Sequence, residues 1–468
     1  MTLSDSIFRN YDIRGVYPTD INELGTEHIG KALGTLIRRK GGSKIVIGRD
    51  NRESSEPLMG NLIKGFVSTG CEVVDIGLSL TPIVHFLTCT EDFDLGVEVT
   101  ASHNPKEYNG FRIDFKNAVP FYGEDIQRIK KMIVDEDYEQ GKGSTTKKDL
   151  SKKYIDFLVA KFQFTSPIKV VVDCGNGTSS LFAPQLFEKL GCTVSPMYCE
   201  SDPSYPHGIP DPEDVEILKD LKDHVLAENA DVGIVVDPDS DRFGFVDEKG
   251  RHFDNDKILM LFAEELLENK PGGEIVFDVK SSGTLEEFIE SKGGVPKRIR
   301  TGHPYFVTAL KEGAVLGGEF SGHSYFGDDY FGYDDGIYAS CKVIEKIIEH
   351  KRPLSYLMTL FPMRVHSTEI KLPCPDELKF GIIDTLTQNF KEIPDILEVD
   401  ETDGARVKVT ETGWFLIRAS NTSPILSVRL EGINEQEAGY MLERVKIVLE
   451  HFDFVDSSPL NNVELYLS

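Results

Sequence analysis

No stretch of this sequence reaches the ~18 consecutive apolar residues that a membrane-spanning helix needs. The first residues, MTLSDSIFRNYDIRG, lack a basic segment followed by an apolar core, so a secretory leader is not expected. CxxC pairs are missing too. The seven cysteines stand singly at 71, 89, 174, 192, 199, 341 and 374, an odd number without metal-ligand spacing. That excludes a disulfide framework and a cysteine zinc site, and it fits reduced thiols in the cytoplasm. Positive charge is in short supply: Lys and Arg total 51 against 78 Asp and Glu, for a net −27. A chain this acidic is not expected to bind nucleic acid through its phosphates or to work at a membrane. It can hold a small phosphorylated ligand only where basic residues gather locally against the overall field. There is no low-complexity tract, and no GxSxG elbow to present an esterase nucleophile.

What is there is a recurrent alternation. Short β-branched runs stop abruptly in polar or glycine-rich turns: KIVIGRD (44–50), GVEVTASHNP (96–105), IKVVVDCGNG (168–177), DVGIVVDPDSDR (231–242) and GEIVFDVKSS (273–282). Helix-like stretches over 56–70, 181–191 and 256–269 lie between them. Continuous apolar runs of this length suit strands buried on both faces, and the alternation predicts α/β layers. In such sheets a ligand sits beyond the carboxyl ends of the strands, where the unusual polar residues of this chain fall. The length accommodates three or four domains. Boundaries are expected at 150/151, in the polar segment EQGKGSTTKKDLSKK, at 251/252 and at 363/364, giving domains 1–150, 151–251, 252–363 and 364–468. In the last of these IKLP, DGARVKVT, WFLIRAS and ILSVRLEG read as strands of a smaller α+β domain.

Four motifs carry chemistry. In Thr100-Ala101-Ser102-His103-Asn104-Pro105 a serine follows a buried-type strand, in a turn stopped by proline. That arrangement is expected to project the hydroxyl into solvent or a cleft, although Ser and Asn also make ordinary turns. In Asp237-Pro238-Asp239-Ser240-Asp241-Arg242 three carboxylates at alternate positions can wrap one hard divalent cation. An EF-hand is excluded because the sixth position is Arg242 in place of glycine and a strand precedes the loop. A solvated acidic turn is the competing reading. Gly318-Glu319-Phe320-Ser321-Gly322-His323 sets donors and acceptors in a glycine-flanked loop suited to sugar hydroxyls. Arg418-Ala419-Ser420-Asn421-Thr422-Ser423-Pro424 has the arginine, hydroxyls and amide of a phosphate cradle, with an ordinary turn as the alternative.

In this order the four motifs, with FRNYDIRG (8–15) before them, resemble the α-D-phosphohexomutase superfamily nearly end to end. The resemblance implies three similar α/β domains and a smaller fourth around a central cleft. It implies a phosphoryl group carried on Ser102 and a magnesium ion held by Asp237, Asp239 and Asp241, with an oxygen of phosphoserine 102 as the fourth ligand. Arg242 matches an arginine near the transferring phosphate. Glu319, Ser321 and His323 match the sugar-contact loop, and Arg418, Ser420, Asn421 and Thr422 the clamp on the non-reacting phosphate. Tyr11, Arg14, Lys280 and His303 match active-site positions of the mannose/glucose branch. The implied reaction interconverts hexose 1-phosphate and hexose 6-phosphate through a hexose 1,6-bisphosphate, which also serves as activator. The expected partners are small hexose phosphates, with the protein a monomer or small homo-oligomer. Arg14, Arg112, Arg242, Lys280 and Arg418 would make a basic cleft in an acidic protein.

Two departures bear on the chemistry. After YNG many relatives carry lysine where this chain has Arg112. Arginine effectively never gives up its proton, so Arg112 is suited to stabilising charge and not to acting as a base. The sugar loop has Phe320 where mannose/glucose enzymes often have methionine. A phosphoglucosamine mutase is the rival within the family, but that branch opens with a GTDGIRG-like motif and centres its loop on glutamine. A sugar-phosphate phosphatase and a non-catalytic sugar-phosphate sensor are the rivals outside it. A sensor has no need of the serine and three aspartates.

Overall fold

The computed structural model describes residues 3–421 and 423–467. The chain divides into two compact units, one of residues 1–252, 307–312 and 321–357, the other of 253–306, 313–320 and 358–468.

In the first unit a mixed sheet contains β1 (Ile13–Val16), β2 (Lys44–Arg49), β3 (Glu72–Leu78), β4 (Leu95–Val99), β5 (Tyr108–Phe115), β6 (Val119–Pro120) and β7 (Ser144–Lys147). Its order is β1-β5-β4-β2-β3-β7, with β6 also on β5. β2, β3, β4 and β7 run parallel, while β5 is antiparallel to both β4 and β1. β1 pairs with β5 from Ile13↔Phe111 to Val16↔Tyr108. β4 is buried along its whole length, as a strand covered on two faces must be. Val97 and Val99 join a core with Ile29, Leu33, Leu58, Leu62 and Ile129 from three helices. On the opposite face a β-carbon added to Gly96 would meet Val84 and Thr88 of the helix Thr81–Thr90. The helices Glu23–Arg39 and Ser55–Ser68 touch backbone to backbone. A β-carbon on Gly30 would lie 2.3 Å from the Leu62 carbonyl oxygen, so nothing larger than glycine fits there.

A second sheet of this unit has the order β11-β10-β8-β9, from β8 (Lys169–Asp173), β9 (Thr193–Met197), β10 (Val232–Val236) and β11 (Phe243–Asp247). β10 lies parallel to β8 and antiparallel to β11. The helix Val215–Glu228 closes one face through Leu218, Leu221 and Val225.

In the second unit β12 (Glu274–Asp278) lies between two parallel neighbours, β13 (Val295–Ile299) and β14 (Leu316–Gly318). A separate antiparallel sheet is formed from β15 (Val365–Ser367), β16 (Ile370–Pro373), β17 (Glu398–Asp400), β18 (Ala405–Lys408), β19 (Trp414–Ala419), β20 (Ile425–Gly432) and β21 (Leu465–Leu467). The helices Lys379–Lys391 and Glu435–Leu449 pack on it through Leu386, Phe390, Met441 and Val445. The expected strands IKLP, ARVK within DGARVKVT, WFLIRA and ILSVRLEG are all present. The architecture is thus α/β, with helix-covered mixed sheets, and it ends in an α+β part whose antiparallel sheet has seven strands among the described residues. Among the described residues no helix is long and apolar enough to cross a membrane.

Candidate active site

Ser102 follows β4 in a left-handed turn, with φ +49°, a conformation that costs a non-glycine residue energy and needs outside support. Arg52 supplies it. This guanidinium is 2% exposed. It donates to the carbonyls of Ser102 (2.6 Å), Asn104 (2.7 Å), Pro105 (2.8 Å) and Tyr108 (3.3 Å), and through Nε to Asp50 (3.1 Å). Its fork of donors fits a curled chain of carbonyls in a way that a lysine ammonium cannot. Arg14, on β1, donates to Asn104 Oδ1 at 2.7 Å and pairs with Asp12.

The sequence context predicts a hydroxyl in solvent or in a cleft, and the structure buries it. Ser102 is 6% exposed, and its Oγ donates to Asp237 Oδ2 at 2.7 Å, with His103 Nδ1 at 3.1 Å. The cause is the metal-type loop of a chain segment 135 residues away, which packs on the serine turn. Asp237, Asp239 and Asp241 follow β10, and all three are buried. Arg242 donates to Asp237 through Nε at 3.3 Å and to Asp211 at 3.2 Å. Thr81 fixes Asp239: its Oγ1 donates to Oδ2 at 2.8 Å and its backbone N–H to the Asp239 carbonyl at 3.1 Å.

Three ionised carboxylates this close repel one another. Burial and the charges of Asp241 and Asp239 push the Asp237 carboxyl well above its usual range. Burial and Asp241 push Asp239 up to about 6. Asp241 goes the other way. Against its own burial it is held low by His323, Arg112 and Arg242. Among the described residues, one oxygen from each of the three aspartates falls within 4.8 Å of the others, close enough to share an ion. Asp239 Oδ1 and Asp241 Oδ1 are buried and accept no hydrogen bond. An all-oxygen set with unsatisfied buried atoms fits a hard divalent cation. Asp241, His323 and Asp334 form a second such grouping. It includes an imidazole, and its Asp334 already carries Arg112 at 2.9 Å, so it suits a hard cation less well.

Arg112, on β5, lies among Asp334, Asp114 (3.8 Å) and Asp241 (3.7 Å). Against its burial, those carboxylates hold it firmly protonated. His323 Nε2 stands 3.6 Å from Asp241 and 3.8 Å from Asp334. Ser321 Oγ is 3.3 Å from the other ring nitrogen of His323. The first unit therefore gathers Ser102, the three aspartates, Arg242, Arg112 and His323. Tyr11, half-buried before β1, also belongs to it.

The second unit has a set of its own. Lys280, beyond β12, is buried and donates to Glu369 Oε2 at 3.2 Å. Glu369 also accepts from Ser427 Oγ, and against its burial the charge of Lys280 holds its carboxyl down to about 2. Glu319 Oε1 accepts from the Gly302 backbone N–H at 2.7 Å, one residue before His303. Arg418, at the end of β19, is buried and donates to Asp403 Oδ2 at 3.0 Å. Ser420 Oγ accepts from the Ser423 N–H at 3.2 Å, which rounds the turn that contains Asn421. Thr422, expected in this clamp, lies outside the described residues.

Arg52, Thr81, Asp334, Glu369 and Asp403 escape the sequence reading. Each acts by holding a candidate site residue from outside its own motif. Only Arg52 leaves a local trace, in the polar run RDNRESSE where β2 ends.

Comparison with known proteins agrees along nearly the whole chain. Residues 5–140, 152–250 and 254–363 match the phosphoglucomutase/phosphomannomutase alpha/beta/alpha domains I, II and III, and residues 369–447 match the C-terminal domain of that family. A phosphomannomutase/phosphoglucomutase of Pseudomonas aeruginosa is 39% identical over 459 residues, covering 98% of this chain and 97% of the relative. A probable phosphoglucosamine mutase of Methanothermobacter thermautotrophicus is more distant, 33% identical over 95% of this chain and 98% of its own. The crystal structure of a phosphoglucomutase/phosphomannomutase family protein from Burkholderia thailandensis superposes with a TM-score of 0.89 at 34% identity, over 99% of each chain. With the serine turn seated on a triad of buried aspartates and all four family domains matched in order, this chain belongs to the phosphoglucomutase/phosphomannomutase family of the α-D-phosphohexomutase superfamily.

Proposed function

We propose that this enzyme is a hexose phosphate mutase, interconverting the 1- and 6-phosphates of mannose, glucose or both. Ser102 would carry the phosphoryl group, and a hexose 1,6-bisphosphate would be the intermediate and activator. The observation that carries this reading is the 2.7 Å hydrogen bond from Ser102 Oγ to Asp237, which seats a nucleophile-type oxygen on a triad of buried carboxylates. The 39% identity to a protein named phosphomannomutase/phosphoglucomutase supports mannose and glucose over glucosamine as substrates.

Phosphoryl transfer needs little covalent help from the protein. Positioning and charge neutralisation do most of it. The left-handed turn, braced by Arg52, presents Ser102 in one orientation. Asp237, Asp239 and Asp241 would hold magnesium, which when bound neutralises charge on the phosphoryl oxygens. Arg242 and Arg112 add fixed positive charge beside them. In the first half-reaction a sugar hydroxyl attacks phosphorus, its oxygen–phosphorus bond forms, and the bond from phosphorus to Ser102 Oγ breaks. The sugar hydroxyl gives up its proton, and Ser102 Oγ takes one up as it leaves. Arg112 cannot take the sugar's proton, so the imidazole of His323 is the group of this cluster suited to exchange it. The second half-reaction reverses these steps from the other end of the bisphosphate. Arg418, Ser420, Asn421 and Thr422 would grip the phosphate that does not react, Glu319 and Ser321 the sugar hydroxyls, and Tyr11, Arg14, Lys280 and His303 would complete the site. We place the domain boundaries at 150/151, 251/252 and 363/364 and the protein in the cytoplasm, as a monomer or small homo-oligomer.

The test is a side-by-side assay of mannose 1-phosphate, glucose 1-phosphate and glucosamine 1-phosphate, with isomer and free phosphate both measured. Isomer formation from the first two without matching phosphate release is expected. Free phosphate in place of isomer would make the protein a phosphatase and overturn the proposal.

A further inference from the structure

The second unit contains a connection that no motif announces. Asp403 and Gly404 form the turn that leads into β18, and this turn rests directly on Arg418. Gly404 has φ +93°, and a β-carbon there would lie 2.5 Å from the Arg418 β-carbon. From this turn Asp403 Oδ2 accepts from Arg418 Nε at 3.0 Å and stands 3.0 Å from Nη2. The same oxygen accepts from the backbone N–H of Thr301 at 3.2 Å. The next N–H along, Gly302, donates to Glu319 Oε1. One hydrogen-bonded path therefore runs from Arg418 through Asp403, Thr301 and Gly302 to Glu319. The strand-end loop is tied at two further points, by Thr301 Oγ1 on Asp278 at 3.3 Å and by Arg300 Nε on the Thr402 carbonyl at 3.0 Å.

We infer that Asp403 is a positioning residue, one that sets the distance and direction between the arginine gripping the idle phosphate and the loop gripping the sugar. The inference rests on the proposed roles of Arg418 and Glu319. It follows from what the mutase reaction demands. The substrate binds in two opposite orientations, and in each the phosphate anchor and the sugar contacts must keep one fixed separation for the reacting end to meet the phosphoserine. A path of short hydrogen bonds between the anchors provides that ruler. A carboxylate in the middle of it also has an electrostatic consequence. Asp403 partly neutralises Arg418 and repels an incoming phosphate, so it works against tight ground-state binding while fixing the geometry needed for transfer.

These opposed effects give a signature that a simple stabilising contact would not. Asp403→Asn keeps the shape and one acceptor but loses the charge. For glucose 1-phosphate its KM should stay level or fall, while kcat drops about tenfold, because small misplacements of bound groups are expensive in rate. Asp403→Ala should lower kcat about 100-fold, with the asparagine variant recovering part of the loss. Arg418→Ala should instead raise KM and lower kcat. Asp403→Ala and Glu319→Gln should be non-additive in kcat, since they cut the same path. Calorimetric titration of the dephosphorylated proteins with glucose 6-phosphate reports on binding without turnover, because no phosphoryl group is then available to transfer. Asp403→Asn should bind as tightly as wild type or more tightly, and Arg418→Ala at least tenfold more weakly. If the wild-type protein forms no isomer, the functional reading fails, and the titration alone decides the role of Asp403. Wild-type kinetics in both Asp403 variants would overturn the inference. So would a rise in KM that copies Arg418→Ala, or weaker glucose 6-phosphate binding by Asp403→Asn.

Discussion

Replacing Arg52 with lysine should loosen the serine turn far more than a change between two cations suggests. Arg52 reaches the carbonyls of Ser102, Asn104, Pro105 and Tyr108 as well as Asp50. A lysine has three donors on one atom and no fork. At least two of those acceptors lose their hydrogen bond to residue 52, and each such lost bond costs about 1–3 kcal/mol. The turn should therefore open more easily by about 2–6 kcal/mol. A multidomain chain does not give one clean unfolding free energy, so the local measurement is native-state hydrogen exchange over residues 100–110. With tenfold for every ~1.4 kcal/mol, exchange there should speed up by roughly 30-fold or more, up to the limit of global unfolding. Exchange in the helix Glu435–Leu449, which lies in the other unit, should not change. Mutase turnover should fall in parallel, because a mobile serine is a misplaced one. Unchanged exchange over 100–110 with wild-type turnover would show that the turn holds itself and that Arg52 is only a spectator.

Three further outcomes are expected. Purified protein should carry phosphate on Ser102 by peptide mass spectrometry, at least in part, and Ser102→Ala should lose most mutase activity. Wild-type turnover in that variant would refute the phosphoserine mechanism. Chelation should abolish activity and magnesium restore it, and Asp239→Asn should weaken metal binding and sharply lower turnover. Full activity in excess chelator would refute the metal assignment. Asp173, at the end of β8, is pushed up to about 7 by burial. A carboxyl whose folded value lies above its unfolded value favours the fold at low pH and loses that advantage as pH rises from about 4 to about 7. Asp173→Asn should therefore flatten the fall in melting temperature between pH 5 and pH 8, and an unaltered slope would show that Asp173 does not control it.

The chemistry-bearing motifs are legible in the sequence because each is local. A serine turn, an alternating aspartate loop and an arginine-hydroxyl turn announce themselves within six or seven residues, and the strands before them appear as apolar runs. The supports are not legible, because they are contacts between distant parts of the chain. Nothing near Ser102 says that a carboxylate 135 residues away will cover it, so the sequence leaves solvent and cleft both open and only the fold buries the hydroxyl. Nothing in DGARV says that its aspartate will catch Arg418. His323 shows the intermediate case. Its loop is recognisable, but only the fold places its ring beside Asp241 and Asp334. Glu369 lies just before the strand IKLP and belongs to no motif, yet it neutralises Lys280.

The edge position of β1 has a consequence for biosynthesis. Its partner β5 begins at Tyr108, at the far side of the serine turn, and leaves the ribosome about a hundred residues later, a delay of roughly 5–20 s at ordinary elongation rates. During that interval the nascent chain has the four residues of β1 in hand and nowhere to put them. When they do dock, they cover one side of β5 and bring Arg14 to Asn104. A chain started downstream of Val16 would leave that side of β5 as an open row of backbone donors and acceptors, able to recruit a strand from another molecule. The opening residues therefore cover an edge of β5 that would otherwise stay open, and a chain lacking them should self-associate as well as lose the contact from Arg14 to Asn104.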